Sequence, residues 1–515
     1  MSKYIHFQRV CQRIIRSGLL LPLAFVINFL IHLPFMDSPP QSVHLWRQCN
    51  TLAVADNFYF EEMNIFKTRV DNRHATDGIT GSHFPAYEYG LACLYKITGK
   101  HDWTHRYYSL ILFYAGAIGL YYLLSLLFAN SIVASIGAIS YLFAPELFYH
   151  QINALPDILA LTASIWGFYL FIYWYINHGR LQHTSRILLW FGATVCTLLA
   201  GLTKLQYLAI GFPIAVFFIM TYSRYGNIRI LLYSTIYGSV ATCGSLYWYA
   251  RAIRLIQESG LPDFGIEFRP ETNFHKGVTI LINNISSFLP ETLLNYASFI
   301  LLIIGSAYVF INKKYKTIWF IPFLIYAAFL IIYHLVELRQ MEHHGYYMMP
   351  YYIILLTIAG YGGAVLFQKG QYILLVILII AQPFLASIRI LPARWLSSSK
   401  GVSRVLLNPE TREKIIKSIP QNALTIAGPD ISNCILFYFS QTQGFGFSNT
   451  EILLDTNKRI NGTLSDIELY TRQGATYLLV QEPSEEVRAR YTPYVEKLLF
   501  AEDDIIVAKL KSSKE

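Results

Sequence analysis

Long apolar stretches alternate with loops over most of the chain, and the Lys and Arg residues of the short loops collect in every second loop. A hydrocarbon core about 30 Å thick needs about 20 residues of helix to cross it. Positively charged residues of short loops stay on the cytoplasmic side of the membrane. The pattern therefore predicts a polytopic α-helical membrane protein with about 11 transmembrane helices.

The first apolar run, 19–36, follows Arg9, Arg13 and Arg16, and no small-residue cleavage site follows it. This arrangement predicts an uncleaved transmembrane helix with a cytoplasmic N-terminus. Ten further apolar runs lie near 107–128, 131–147, 157–177, 187–203, 205–222, 230–250, 293–311, 317–335, 346–367 and 371–390. The loops predicted to be cytoplasmic carry Arg180, Arg186, Arg224, Arg229, Lys313, Lys314, Lys316 and Lys369.

The composition narrows the class of protein. Hydrophobic residues make up 54% of the chain and charged residues only 14%, which is below the charge content of ordinary globular proteins. The net charge of +9 comes without a basic cluster interleaved with aromatic residues, so nucleic acid is not a predicted partner. The six cysteines show no CxxC spacing, which argues against a zinc site or a disulfide framework.

Two domains are predicted. Residues 1–391 form the transmembrane domain, including a long first external loop at 37–105, and residues 392–515 form a small extracytoplasmic α/β domain. The predicted strands of the second domain are 423–428, 476–481 and 504–510, and its predicted helices are 409–418, 431–440, 463–473 and 485–499. A further external segment, about 251–290, is predicted to be partly helical and to lie along the membrane surface.

The first external loop opens with a polar stretch. Its residues of interest are His44, Trp46, Arg47, Gln48 and Asn50. The guanidinium of an Arg beside a Trp suits an anionic headgroup. The same pair would also serve as an interfacial anchor with a snorkelling Arg, and both interpretations stay open here.

Two acidic residues stand at positions that suit proton transfer. Glu88 lies in the aromatic and small-residue run 84–90, where a carboxylate can act as a general base or simply pair locally. Asp157 follows Pro156 at a predicted helix start, where an acid stabilises the helix end through its dipole. An acid at the membrane rim is also a functional candidate.

Basic residues and histidines complete the set of candidates. Lys204 lies between two apolar runs, where it could bind phosphate or extend to lipid headgroups. Glu342, His343, His344 and Tyr346 enter another helix from the predicted outer side. Without an HExxH spacing, hydrogen bonding to a sugar or phosphate is favoured over metal binding. No cofactor and no metal ligand are assigned, and a divalent-metal requirement stays open.

These polar clusters, from distant parts of the chain, all map to one predicted membrane face. The stretches His44-x-Trp46-Arg47-Gln48, Phe84-Pro-x-Tyr-Glu-Tyr, Pro156-Asp157, Thr203-Lys204 and His344-x-Tyr-Tyr-x-x-Pro350 follow one another in that order. In this order they resemble bacterial membrane glycosyltransferases of the GT-C superfamily. The nearest groups are the dolichyl-phosphate-mannose protein mannosyltransferase type and the lipid A aminoarabinose transferase type.

The resemblance implies an inverting enzyme in the bacterial inner membrane. It would transfer one sugar from a polyprenyl phosphate, usually undecaprenyl phosphate, to an extracytoplasmic lipid A, protein or glycan. The resemblance also implies two acidic residues at the site, one in the first external loop and one at the next external turn. The second corresponds to Asp157, whereas Asn50 stands where relatives often have the first, an Asp. The base is therefore open among Asp157, Glu88, Asp37 and Asp56.

Other roles also follow from the resemblance. Arg47, Lys204, His344 and Tyr346 are expected at the donor phosphate. The residues expected at the acceptor or sugar are His44, Trp46, Gln48, Asn50, Glu342 and His343. The alternatives are a ligase or polymerase of lipid-linked oligosaccharides, a lipid or sugar flippase, and a catalytically silent scaffold favoured by Asn50.

Overall fold

A computed structural model describes residues 2–225, 228–261, 270–316, 320–396, 404–447, 466–481, 485, 488, 491–502 and 504–512. The chain forms two compact units, each assembled from three segments. Unit 1 consists of Met1–Asp37, His105–Tyr249 and Glu267–Leu396, and unit 2 consists of Ser38–Thr104, Ala250–Ile266 and Ser397–Glu515. Most of the predicted first loop thus falls into the same unit as the C-terminal residues, while the predicted boundary at 391 stays a prediction.

In the described residues, each predicted apolar run falls mainly in helical structure, and residues 317–319 of one run lie outside the described part. In chain order the α-helices are α1 Ser2–Arg16, α2 Leu20–His32, α3 Leu45–Phe60, α4 Ala86–Thr98, α5 Asp102–Phe128, α6 Ser131–Leu142, α7 Pro145–His150, α8 Pro156–Asn177, α9 His183–Thr203, α10 Gly211–Tyr225, α11 Ile228–Ser259, α12 Phe274–Asn283, α13 Tyr296–Ile311, α14 Ile321–Val336, α15 Leu338–His343, α16 Tyr352–Gln368, α17 Tyr372–Ile390, α18 Arg404–Leu407, α19 Pro409–Ser418, α20 Ile435–Ser440 and α21 Asp466–Arg472. Irregular helical turns extend or join several of them, as 3₁₀ segments at Leu33–Phe35, Leu205–Ile210 and Gly345–Tyr351 and as π segments at Asn284–Leu293 and Leu391–Trp395.

Five helical stretches in the described residues are long and apolar enough to cross a membrane. They are Asp102–Phe128, Pro156–Asn177, His183–Thr203, Gly345–Gln368 and Tyr372–Trp395. Two helix pairs bent by 78° and 117° raise the number to seven if each pair counts as one span. The protein is a multi-pass membrane protein, but the predicted count of about 11 spans is not confirmed. Several apolar runs form shorter helices, such as α6 and α14.

A five-stranded mixed sheet forms the centre of the C-terminal part of unit 2. Its strands are β1 Leu424–Gly428, β2 Gln443–Gly446, β3 Ala475–Gln481, β4 Val495–Glu502 and β5 Ile505–Leu510, in the spatial order β2-β1-β3-β5-β4. β1 pairs in parallel with β2 and β3, and β5 pairs antiparallel with β3 and β4. The small α/β architecture predicted for this region is therefore present.

The apolar side chains of the sheet explain its stability. Ile426, Phe445, Leu478 and Ile506, one from each of four strands, are buried in a common core that also includes Tyr470 of α21. Removing such side chains from water is the main favourable contribution to folding. Because this core holds the strands in place, it also fixes the positions at which the loops between the strands begin.

Two details of the C-terminal prediction are wrong. The predicted helix 485–499 is not continuous, since 495–499 belongs to β4, and β2 was not predicted. Residues 463–465 of another predicted helix lie outside the described residues. In the predicted surface segment 251–290, α11 continues to Ser259 and α12 begins at Phe274, while 262–269 lie outside the described part.

Candidate active site

Asp157 lies in the first turn of α8 in unit 1, directly after Pro156. Proline suits the first helical position because its fixed φ matches the helix and its missing N–H would have no partner there. The side chain of Asp157 is fully buried, and neither carboxylate oxygen has a hydrogen-bond partner among the described residues. A buried acid in this condition needs an explanation beyond helix capping, because buried polar atoms are almost always hydrogen bonded.

Lys204 is the cation that faces this acid. It lies in extended backbone between the end of α9 and the 3₁₀ segment Leu205–Ile210, where the change of helix type directs it out of either helical ladder. Its Nζ is 3.8 Å from Oδ2 of Asp157 and 5.4 Å from the ring centroid of Tyr347. The ion pair is thus close enough for strong attraction, but it is not a hydrogen bond.

The segment that follows α15 brings aromatic groups to the same place. Tyr347 belongs to the 3₁₀ turn that His344 precedes, and the ring centroids of these two residues are 6.1 Å apart. The ring of Tyr346, which is almost fully buried, lies 5.5 Å from His344 and 5.9 Å from His150. Three predicted residues, Lys204, His344 and Tyr346, therefore join Asp157 in one neighbourhood of unit 1.

A largely buried triad that was not predicted from the sequence lies beside them, with Glu146 and His150 buried and Arg394 half-buried. Glu146 and His150 are four residues apart on α7 and are held by a 3.1 Å contact from His150 Nε2 to Glu146 Oε1. Arg394 donates to the other carboxylate oxygen, Glu146 Oε2, at 2.9 Å. Burial lowers the pKa of His150, while the neighbouring Glu146 opposes that change. The i, i+4 spacing on one helix was the available sequence signal, but Arg394 is too distant in sequence to be recognised.

Glu342 and His343 behave differently from their neighbours. Glu342 forms a 2.9 Å ion pair with Lys276, and the His343 side chain is 65% exposed. Exposed pairs of this kind contribute little to stability. The structure thus divides the predicted cluster into an inner half, with buried Tyr346 and half-buried His344, and an exposed half, Glu342 and His343.

In unit 2, Arg47 is the most unusual residue of the predicted set. It lies in the first turn of α3 and is only 4% exposed. Its positive charge partly opposes the rise in the pKa of the buried Cys434 thiol. A buried guanidinium favours an anionic partner, which makes Arg47 a candidate for binding an anionic group.

The other residues of this stretch are held by the local fold. His44 precedes α3 with φ of 57°, Gln48 donates to the backbone oxygen of Gln41 at 3.0 Å, and the carbonyl of Trp46 accepts from Cys434 Sγ at 3.2 Å. Asn50 is buried at 6% exposure.

Glu88 also lies in unit 2, in the first turn of α4. It is almost fully buried, and its Oε1 is 2.9 Å from His83 Nε2. Its Oε2 is buried and has no hydrogen-bond partner among the described residues. A carboxylate beside an imidazole, as in Glu88 and His83, is suited to transferring a proton. Glu88 therefore remains a candidate for the general base.

The remaining two acids differ in setting. Asp37 is exposed, at the end of the first segment of unit 1. Asp56 forms a 2.6 Å ion pair with Lys100, and burial raises the pKa of Asp56 while Lys100 partly counteracts that rise. Neither acid is placed by the structure beside another residue of the predicted catalytic set.

The apolar helices and the five-stranded sheet define a mostly helical, multi-pass membrane protein with a small mixed sheet. Comparison with solved structures adds the particular fold. ArnT from Cupriavidus metallidurans bound to undecaprenyl phosphate is similar, with a TM-score of 0.63, 10% identity and coverage of 96% of this chain and 98% of that one. The same enzyme in the apo state gives a TM-score of 0.61 at 11% identity, with the same two coverages.

A second group of structures shares the fold over most of the chain. The oligosaccharyltransferase AglB from Archaeoglobus fulgidus, in complex with an inhibitory peptide and a dolichol-phosphate, gives a TM-score of 0.55 at 11% identity, covering 90% of this chain and 69% of that one. ArnT, a lipid A aminoarabinose transferase, and AglB both have the GT-C fold, so the predicted GT-C-like fold is confirmed. No protein-family profile and no curated protein sequence matches the chain.

Proposed function

We propose that this protein is a GT-C glycosyltransferase that moves a single sugar from a polyprenyl phosphate, such as undecaprenyl phosphate, to an extracytoplasmic acceptor with inversion. The observation that carries the proposal is the fully buried Asp157, which has no hydrogen bond among the described residues and lies 3.8 Å from the charged atom of the half-buried Lys204. A buried carboxylate without a hydrogen bond is rare outside functional sites.

The neighbouring structures support the choice of donor class. ArnT was solved with undecaprenyl phosphate and AglB with a dolichol-phosphate. Both ligands are lipid phosphates, and we extend that class to this chain because it has a half-buried cation, Lys204, beside a fully buried acid in unit 1. Arg47, whose guanidinium is buried in unit 2, is proposed as a further ligand for an anionic group.

The proposed reaction is a single displacement. The acceptor hydroxyl oxygen attacks the anomeric carbon of the donor, the bond from that carbon to the phosphate oxygen breaks, and polyprenyl phosphate leaves with the electron pair. Asp157 takes the acceptor proton, and Lys204 stabilises the charge on the departing phosphate. Attack opposite the leaving group inverts the configuration at that carbon.

Other residues are proposed in supporting roles. His344 and Tyr346 lie in the aromatic neighbourhood of the pair and are proposed to bind the phosphate or the sugar. Glu88, with its His83 partner, is the alternative base. Six further residues are proposed, as predicted from the sequence, to contact the acceptor or the sugar: His44, Trp46, Gln48, Asn50, Glu342 and His343.

We further propose the bacterial inner membrane as the location, with a cytoplasmic N-terminus and residues 392–515 outside the cytoplasm. The distribution of basic residues among the short loops supports this orientation. Reporter fusions after residues 180 and 391 test it. Activity of a cytoplasmic reporter at the first position and of a periplasmic reporter at the second is expected, and the reverse pattern would reject the orientation.

The transfer itself is tested with purified protein in nanodiscs. The donor is the polyprenyl phosphate sugar released from a membrane extract, and the product is detected by mass spectrometry on added lipid A, protein and glycan acceptors. Transfer by the wild type and by Glu413→Gln, but not by Asp157→Asn, is expected. Glu413 is an exposed acid of α19 and serves as the matched control.

The similarity to an oligosaccharyltransferase favours one second candidate, a ligase of whole lipid-linked glycans. Such an enzyme would use a lipid diphosphate donor. Competition between mono- and diphosphate lipids in the same assay separates the two functions. The proposed function predicts that only the monophosphate lipid competes with the donor.

A further inference from the structure

A polar cavity lies within unit 2, and one of the four acids considered above as the base, Asp56, is part of its lining but has no role in the proposed transfer. Its volume is about 140 Å³, well above the ~15 Å³ that a single water needs. It is lined by residues of the first predicted loop and of the C-terminal region, among them Asp56, Asp71, Lys100, Gln421, Asn422 and Tyr438. The cavity therefore has room for a small polar ligand.

One wall of the cavity carries an acceptor atom that nothing in the described chain satisfies. Asp56 is 9% exposed, and its Oδ2 forms the 2.6 Å ion pair with Lys100. Its other oxygen, Oδ1, is buried and has no hydrogen-bond partner among the described residues. Leaving a buried acceptor unpaired costs free energy, so a donor supplied by a ligand would remove that cost.

A second carboxylate in the wall is held in a fixed position. Asp71 Oδ1 accepts from Asn57 Nδ2 at 2.9 Å. The backbone of this loop is also tied to the edge strand β2, because Gly444 N donates to Asp71 O at 2.9 Å and His74 N donates to Gly444 O at 2.8 Å. The two sides of the cavity are thus held together by main-chain hydrogen bonds, which gives the site a preformed shape.

The remaining lining is rich in amides. Asn57, Gln421, Asn422, Gln441 and Gln443 each present a group that both donates and accepts hydrogen bonds. Tyr438 and Phe60 add aromatic surface. Carboxylates and amides that bond hydroxyl groups, beside an aromatic ring that contacts apolar C–H faces, are suited to a polyhydroxylated ligand.

A cation fits the cavity less well. The ammonium of Lys100 already lies against Asp56, and it is 5.6 Å from the ring of Tyr438 and 5.5 Å from the ring of Phe60. It occupies the favourable position beside the carboxylate that a metal ion or an amine would need. Its charge also repels a second cation.

We propose that this cavity of unit 2 is a carbohydrate-binding site in which Asp56 Oδ1 accepts a hydrogen bond from a sugar hydroxyl and the amides of Gln421 and Asn422 bind neighbouring hydroxyls. The proposal goes beyond sugar transfer, because binding to this site requires neither the donor lipid nor Asp157. If transfer is established as well, the occupant is the glycan part of the acceptor.

The experiment uses the full-length protein in nanodiscs free of polyprenyl phosphate. Fluorescently labelled nanodiscs are applied to a printed array of monosaccharides and short oligosaccharides, and the strongest sugar is then titrated calorimetrically. The variants are Asp56→Asn and a double variant that combines Gln421→Ala with Asn422→Ala. Gln421 and Asn422 are both exposed, so replacing them should not disturb the fold. The control is Gln473→Ala, an exposed amide of unit 2 outside the cavity lining.

Wild type and Gln473→Ala are expected to bind the same sugar with the same affinity. Asp56→Asn and the double variant are expected to bind it at least about 10-fold more weakly, because this factor corresponds to the loss of roughly one good hydrogen bond to a charged group. The double variant keeps the test valid if Asp56→Asn unfolds. Absence of sugar binding on the whole array, or equal binding by all four proteins, would overturn the proposal. A third outcome would also overturn it: no sugar binds, but calcium chloride releases heat on titration into the wild type and not into Asp56→Asn. The cavity would then be a cation site.

Discussion

The two units each contain a buried Asp that faces a half-buried Lys, and the two pairs are built differently. In unit 2 the charged atoms of Asp56 and Lys100 are 2.6 Å apart, a closed and hydrogen-bonded pair. In unit 1 those of Asp157 and Lys204 are 3.8 Å apart, and the acid is fully buried without a hydrogen bond in the described chain. The short hydrogen bond of the closed pair engages one Asp56 oxygen directly, whereas in the open pair both oxygens of Asp157 are left without a hydrogen bond in the described chain.

This difference separates two roles for the same residue types. Asp56 and Lys100 stabilise the wall of a cavity, and only one carboxylate oxygen is left over. Asp157 and Lys204 are held near each other by two helix ends and are proposed to act on the acceptor proton and the donor phosphate. The variants below test whether the open pair serves chemistry and the closed pair serves stability.

The largest effect is expected for Asp157→Asn. Loss of a general base lowers rates by roughly 10²–10⁴-fold, and we expect sugar transfer to fall by about that factor. Folding should be retained, because an amide of the same size replaces an acid that makes no hydrogen bond in the described structure. Transfer is followed by mass spectrometry of the acceptor, beside the Glu413→Gln control. Wild-type transfer by Asp157→Asn would remove Asp157 from the mechanism.

A somewhat smaller effect is expected for Lys204→Met. Removing a cation that stabilises a departing anion lowers rates by roughly 10²-fold, and the donor lipid should be retained more weakly as well. Lys204→Arg is expected to recover part of the activity, because it keeps the charge. Lys417→Met, which removes an exposed Lys 2.6 Å from Glu413, is the matched control. Equal transfer by Lys204→Met and this control would show that Lys204 does not contact the donor.

The closed pair should affect stability instead. Removing one partner of a buried ion pair costs about 3 kcal/mol or more, and we expect Asp56→Asn to lower the free energy of unfolding by about that amount. Thermal unfolding of the protein in nanodiscs, read by intrinsic fluorescence, measures the change. An unfolding midpoint identical to that of the wild type would show that the Asp56–Lys100 contact adds nothing to stability.

The smallest effect concerns pH. Burial raises the pKa of Asp71 to about 6, with Arg73 and Asn57 opposing that rise. The folded protein therefore binds a proton more tightly than the unfolded chain, so this group's contribution to stability is greatest below about pH 4 and is lost as the pH rises to about 6. Two pKa units correspond to at most about 3 kcal/mol.

Asp71→Asn lacks this titration. Unfolding midpoints of wild type and variant are compared at pH 4.5 and 7.5, and the wild type is expected to lose more stability than the variant between these values. Parallel changes in the two proteins would contradict the raised pKa of Asp71.

Much of the local structure was predictable from the sequence. The Pro156–Asp157 pair predicted the start of α8, and the apolar runs of β1, β3 and β5 predicted three strands. These features depend on neighbouring residues only, through dipole, dihedral preference and alternation of apolar side chains.

Other features depend on contacts that no local pattern shows. β2 contains two glycines in four residues, and β4 carries charged residues that resemble an exposed helix. The bend of 117° between Phe274–Leu293 and Tyr296–Ile311 lies within an apolar region, so hydropathy alone could not give the number of spans. Arg394 meets Glu146 over a separation of 248 residues, which is why the triad was missed.

The most direct test of the proposed function is the identity of the lipid that accompanies the protein. Wild type, Lys204→Met and Lys417→Met are purified in mild detergent, and their lipids are extracted and identified by mass spectrometry. The proposal predicts a polyprenyl phosphate carrying one sugar in the wild type and in Lys417→Met, and much less of it in Lys204→Met. A wild type that carries no polyprenyl phosphate, or equal amounts in all three proteins, would contradict it.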